Sequence, residues 1–123
     1  MILLQLTRPA AILRIEGAFA LGLATFFFWR SDGNWALYAL LLLVPDIGML
    51  GYVRGSRIGS AAYNLFHTYA MPAALGTIGT VTNAPILVWL ALIWGAHIGM
   101  DRLIGYGLKY GGAPFKETHL DKV

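Results

Sequence analysis

The sequence has no cysteine. That excludes disulfides, thiolate zinc sites, iron–sulfur clusters and covalently attached c-type haem. Charge is scarce as well: 12% of the 123 residues are Asp, Glu, Lys or Arg, while 58% are hydrophobic, and mean hydropathy is +0.64. A soluble domain carries about 25% charged residues to face water, so a water-facing shell is excluded. No basic patch interleaved with aromatics is present, which speaks against a nucleic-acid partner. A cleavable leader is not expected either. The first apolar run carries Glu16 and lacks a small-residue cleavage site before a polar segment.

What is present comes in apolar runs of membrane-spanning length. Four spans are expected, at about 9–29, 35–53, 58–80 and 84–106, with a polar tail at 107–123. Short links join them: "RSDGN" (Arg30–Asn34), "RGSR" (Arg54–Arg57) and "VTNAP" (Val81–Pro85), the last with a proline suited to a first helical turn. Short links make consecutive helices antiparallel. The expected fold is therefore all-α, a single-domain polytopic membrane protein built as an antiparallel up-down four-helix transmembrane bundle. Membrane lipids are its expected surroundings, and a homo-oligomer is open to it.

Lys and Arg orient the chain. Arg8, Arg54, Arg57, Arg102, Lys109, Lys116 and Lys122 fall on one side, whereas the other links hold Arg30 alone, offset by Asp32. By the excess of basic residues in cytoplasmic loops, both termini face the cytoplasm. The formal net charge of +3 fits such loops, and the bacterial inner membrane is the expected location. Trp29, Trp35 and Trp89 suit the interface or outer leaflet.

The ionisable residues inside the spans share one depth. At 1.5 Å per helical residue, Glu16 lies about 12 Å inside Arg8 and Asp46 about 12 Å before Arg54. His67 lies about 15 Å after Arg57, with Asn64 one turn before it; Asp101 and His97 lie about 12 and 18 Å before Lys109. Asn64 and His67 are three apart and His97 and Asp101 four apart, so each pair shares a helix face. A charge facing lipid costs about 2.5 kcal/mol or more, so these groups should point inward. Gly95 and Gly99 form a GxxxG beside His97, and Ala18 and Gly22 a similar small-residue pair, both suited to close helix approach. Pro45 and Pro72 free backbone carbonyls near the polar layer. Arg14 and Arg102 read as snorkelling side chains at the cytoplasmic edge, and Tyr63, Tyr69, Tyr106 and Tyr110 as interface or packing aromatics.

Several segments together resemble a family of small bacterial four-span integral membrane proteins of unknown function: a Pro-Asp followed by "MLGY" (Met49–Tyr52), "YNLFHTYA" (Tyr63–Ala70), "AHIGMDRLIGYGLKY" (Ala96–Tyr110) and "FKETHL" (Phe115–Leu120). The resemblance covers nearly the whole chain and implies four spans but no activity. A looser likeness is to bacterial inner-membrane proteins described as metal-dependent hydrolases, which also carry His and Asp in membrane helices.

The residues leave several functions open. Glu16, Asp46, His67, His97 and Asp101 could bind a divalent metal, with Asn64 supporting a ligand by hydrogen bonding. Imidazole and carboxylate without thiolate suit Zn, Fe or Mn. Such a site could hydrolyse a lipid-like ester or phosphoester, or oxidise one at a di-metal centre. The same groups could relay protons or cations in a dimeric transporter, although the outer half offers only Thr25 and Thr77 to complete a path. They could also be a hydrogen-bonded lock in a structural or accessory subunit. A b-type haem between His67 and His97 is disfavoured by Asp46 and Asp101 beside it.

Overall fold

The structure is a computed structural model that describes residues 2–44, 46, 55–108, 118 and 120. Among them six helices form and no strand does: α1 (Ile2–Leu6), α2 (Pro9–Arg30), α3 (Trp35–Leu41), α4 (Ser56–Phe66), α5 (Ala70–Val81) and α6 (Pro85–Ile104). Two of them, α2 and α6, are long and apolar enough to cross a membrane by themselves. Both begin with proline in the first turn, where the missing N–H would have no helical partner.

The link after α2 folds as its composition implies. Ser31 closes the helix by donating from both N and Oγ to the Phe27 carbonyl (2.9 and 2.7 Å). Asn34 caps α3, its Oδ1 accepting from the N–H groups of Ala36 and Leu37 (2.9 and 3.3 Å). At this end Phe28 is fully buried among Trp35, Tyr38 and Trp89, with ring centroids 5.1, 5.2 and 6.3 Å away. Gly33 is required here, since a Cβ on it would lie 2.5 Å from the Phe28 ring.

Two of the expected spans differ from continuous helices. Among its described residues, the second, expected over 35–53, is α-helical only to Leu41; Asp46 follows in a turn, and its N–H donates to the Leu43 carbonyl (3.1 Å). Pro45 and residues 47–54 lie outside the described residues. The third, expected as one helix over 58–80, is two: α4 ends at Phe66 and α5 starts at Ala70. Pro72 lacks an N–H for the Thr68 carbonyl and its ring crowds that group. The chain meets this by starting a new helix with Pro72 in its first turn. The carbonyls released at the end of α4 are taken up by side chains. His67 Nδ1–H donates to Tyr63 O (2.9 Å), Trp94 Nε1–H to Phe66 O (2.6 Å) and Arg102 Nη2 to His67 O (3.4 Å).

Helix α6 is the centre of the fold. It packs chiefly against α2 and α5, and to a lesser extent against α3. The α2 crossing is built on Gly17 and Gly99: a Cβ on Gly17 would stand 2.7 Å from the Gly99 carbonyl, and one on Gly99 would stand 2.6 Å from the Gly17 carbonyl. This corrects the expected small-residue pairs. A Cβ added to Gly95 or to Gly22 would meet nothing within 4 Å, so of the GxxxG only Gly99 serves the crossing, and its partner on α2 is Gly17. Gly79 lets α5 close on α6, where a Cβ would meet Leu87 Cβ and Val88 N at 2.9 Å. Helix α6 ends in a left-handed Gly105 (φ 104°), with Gly105 N–H donating to Arg102 O (3.2 Å) and Tyr106 N–H to Asp101 O (2.7 Å). Arg14 does not simply snorkel: its Nε–H donates to the Leu103 carbonyl (2.9 Å) and ties α2 to the end of α6.

Of the tail, Gly107, Leu108, Thr118 and Leu120 are described; Lys109, Tyr110, Lys116 and Lys122 lie outside the described residues. Thr118 and Leu120 are buried, and Thr118 Oγ1 accepts from the Gly107 N–H (2.6 Å) and donates to Leu108 O (3.3 Å). Large apolar side chains remain exposed along the helices, among them Phe19 (67%), Leu40 (78%) and Val81 (75%). An open apolar groove of about 640 Å³ runs between α2 and α5, floored by Ala91, Leu92 and Gly95 of α6.

Candidate metal centre

Four of the singled-out residues meet at one point. One ligand atom from each of Asp46, His67, His97 and Asp101 lies within 4.8 Å of all the others. Asp46 comes from the turn after α3, His67 is the residue that ends α4, and His97 and Asp101 lie one turn apart in α6. The four-residue spacing in α6 aims both side chains to one side. The helix break at residues 67–69 does the same for His67: as the C-cap residue (φ −118°, ψ 17°) it turns out of the helix path.

The separations are nearly uniform. His67 Nε2 is 3.3 Å from Asp46 Oδ1, 3.1 Å from Asp101 Oδ2 and 3.1 Å from His97 Nε2. His97 Nε2 is 3.1 Å from Asp46 Oδ1 and 3.1 Å from Asp101 Oδ2. Both imidazoles are buried, His97 completely; the Asp101 side chain is 12% exposed and that of Asp46 37%. The centre is thus closed on the α6 side and accessible beside Asp46.

The orientation of His67 is firmly set. Its Nδ1–H is spent on the Tyr63 carbonyl, and the Tyr63 ring stacks flat on the imidazole, centroids 3.8 Å apart and planes 4° from parallel. Nε2 therefore faces the centre with its lone pair whenever the ring is neutral. His97 is different: its Nδ1 is buried and makes no hydrogen bond to the described residues, with the Leu42 backbone as its neighbour.

Glu16 is not in the group. It is exposed on α2, and its electrostatic neighbour is Tyr69. Gly17 is the α2 residue pressed on Arg102 and Leu103, and one residue along a helix is a turn of about 100°. Glu16 is therefore turned off the face of α2 that packs on α6 and is left exposed. Asn64 is half-buried one turn before His67 in α4.

Three contributors were not assigned to the site from sequence. Tyr63 fixes the His67 ring through its carbonyl and its own ring. Trp94 holds the end of α4 through the Phe66 carbonyl. Arg102, expected only to snorkel, donates to the His67 carbonyl and stacks on Tyr69 with its guanidinium carbon 5.1 Å from the ring centroid. A signal existed for Tyr63 alone, four residues before His67 on the same helix face. The other two contacts join different helices.

A family model, "Domain of unknown function (DUF4260)", matches residues 10–123. The chain belongs to the DUF4260 family. The matched region contains all four residues of the centre and every helix from α2 onward except the first residue of α2. No curated protein and no solved structure matches the chain.

Proposed function

We propose that this DUF4260 member is a four-crossing protein of the bacterial inner membrane, with both termini cytoplasmic, that binds one divalent cation between Asp46, His67, His97 and Asp101. The observation that carries the reading is the set of five separations of 3.1–3.3 Å among four ligand atoms. Four ligands at about 2.0–2.1 Å from a cation in a tetrahedron stand about 3.3 Å apart. Two imidazoles and two carboxylates with that geometry favour Zn, ahead of Fe or Mn.

The surrounding field supports the same reading. Helix α4 ends at the centre, and Asp101 lies in the last turn of α6. Each helix C-terminus carries about half a negative charge. Two such ends and two carboxylates converge here, and a cation offsets them. A hydrogen-bonded lock without metal fits less well. Each Nε2 carries at most one hydrogen, directed in the ring plane, yet each has three electronegative atoms within 3.3 Å.

A membrane location rests on α2 and α6 and on the apolar side chains that face outward. The other two crossings would be made by α3 with the segment after it, and by α4 and α5 in series. A broken helix is tolerated at membrane depth where it lines a polar site and its carbonyls find donors, as at residues 63–67.

For reaction class we propose metal-assisted hydrolysis of a lipid-like ester or phosphoester. A cation here would polarise the scissile group and make water more acidic. Asp46, the most accessible of the four side chains, would leave its ligand position to admit substrate and accept the proton from the attacking water. His67, His97 and Asp101 would keep the cation in place. Di-metal oxidation is less well supported, since Glu16 does not join the group. A transport path is disfavoured because Thr25 bonds to Tyr38 (2.7 Å) and Thr77 to the Ala73 carbonyl (2.8 Å). The test is elemental analysis of protein purified without added metal and again after supplementation. One Zn, Fe or Mn per chain is expected; none under either condition would falsify the reading.

A further inference from the structure

A second, smaller cavity of about 210 Å³ is walled by apolar side chains, several of them within two helical turns of the His/Asp group along the chain. Its walls include Val44, Phe66, Leu75, Leu90, Ile93 and Trp94. Ile93 and Leu90 precede His97 by four and seven residues, so they share its face of α6. Phe66 adjoins His67, and Val44 is two residues from Asp46. Along α6 the cavity therefore lies between the level of the polar centre and that of the Phe28 cluster. Trp94 adds no free polar atom, since its Nε1–H is held by the Phe66 carbonyl. The Asp46 carboxylate is the most accessible group of the centre.

From this polarity, and resting on the metal reading above, we infer that the cavity takes the hydrocarbon chain of a single-chain amphipath. Its carbonyl or phosphoryl head lies at the cation beside Asp46. A polar molecule gains nothing from walls that offer it no hydrogen bond, whereas a chain ending at the cation satisfies both halves of the site. The size sets the chain length: 210 Å³ equals about seven water volumes of ~30 Å³ each, and about as many methylenes fill it. The substrate class is thus a medium-chain acyl or alkyl ester, or the proximal part of a longer chain whose remainder passes into the bilayer.

The probes are acetohydroxamic and octanohydroxamic acid, which share a metal-chelating head and differ in chain. Protein carrying one Co(II) per chain in detergent micelles reports binding through its visible absorption. Leu75→Trp fills the cavity without touching a ligand residue, and Leu90→Phe is the milder variant should the first not fold. Octanohydroxamic acid should bind wild type at least tenfold more tightly than the filled variant, while acetohydroxamic acid binds both equally. Comparing variants cancels the partition of the longer chain into micelles. Equal octanohydroxamic acid affinity with an unchanged Co(II) spectrum overturns the chain site and leaves the metal reading standing. Failure of wild type to bind Co(II) overturns the metal reading and this inference together.

Discussion

Helix α6 presents two faces within the same two turns. His97 and Asp101 point toward the turn after α3 and the end of α4, where backbone helices stop. Gly99, two residues from each and about 200° around the helix from them, points at α2, where the helix runs on without interruption. On the first face side-chain nitrogens and oxygens come within 3.1–3.3 Å of one another. On the second, Gly17 and Gly99 bring the two backbones together. Close crossing requires continuous helices and absent side chains. Binding requires helix ends, whose free carbonyls orient ligands and whose dipoles favour a cation.

The comparison is tested most severely by His97→Ala. The bundle should still insert and elute at wild-type size, but bound metal should fall from one ion per chain to none. Retained stoichiometric metal would detach the binding face from His97. Gly99→Leu attacks the opposite face. Its Cβ would lie 2.6 Å from Leu21 N and from the Gly17 carbonyl, so stability in a denaturant or thermal titration should drop by about 1–3 kcal/mol. The fraction that folds should still bind one ion. Loss of metal with unchanged stability would mean that the two faces are not separate.

A smaller effect is expected from Arg102→Met, which removes the donor to the His67 carbonyl and the cation on Tyr69. Groups that hold a metal ligand in place are typically worth about 10–100-fold in metal affinity. Chelator competition should show weakening at the low end of that range, with stoichiometry preserved at saturation. The smallest change should follow Gly95→Ala. Nothing lies within 4 Å of the added carbon, so stability should stay within about 0.5 kcal/mol of wild type. A large loss there would restore the GxxxG motif to the helix crossing.

The residues of the centre were legible because they are exceptions. In a chain with 12% charged residues, Asp46, His67, His97 and Asp101 stand out inside apolar runs, and helical rise ranks them at one depth. Depth is a one-dimensional quantity, however, and Glu16 passed the same test. Only the contact of Gly17 with Arg102 and Leu103 fixes the rotation of α2 and turns Glu16 outward. The glycine motif failed for a related reason. Spacing finds two small residues on one face, but which of them meets a partner depends on where the other helix crosses. Pro72 announced an irregularity; that it became a full break at residues 67–69 depended on donors from Trp94 and Arg102 of α6.

By itself the sequence determined the helical class, the extent of α2 and of most of α6, the turn at Arg30–Asn34 and the pairing of His97 with Asp101. These follow from hydropathy, proline placement and the 3.6-residue period, all of them local along the chain. Tertiary structure alone decided which helix end turns His67 toward His97, which glycine is shielded by α2, and how the carbonyls of Tyr63, Phe66 and His67 are satisfied. Each of those depends on the rotation of one helix against another. That rotation is set by side-chain packing and donor–acceptor matching between residues as far apart as His67 and Arg102, which no local pattern encodes.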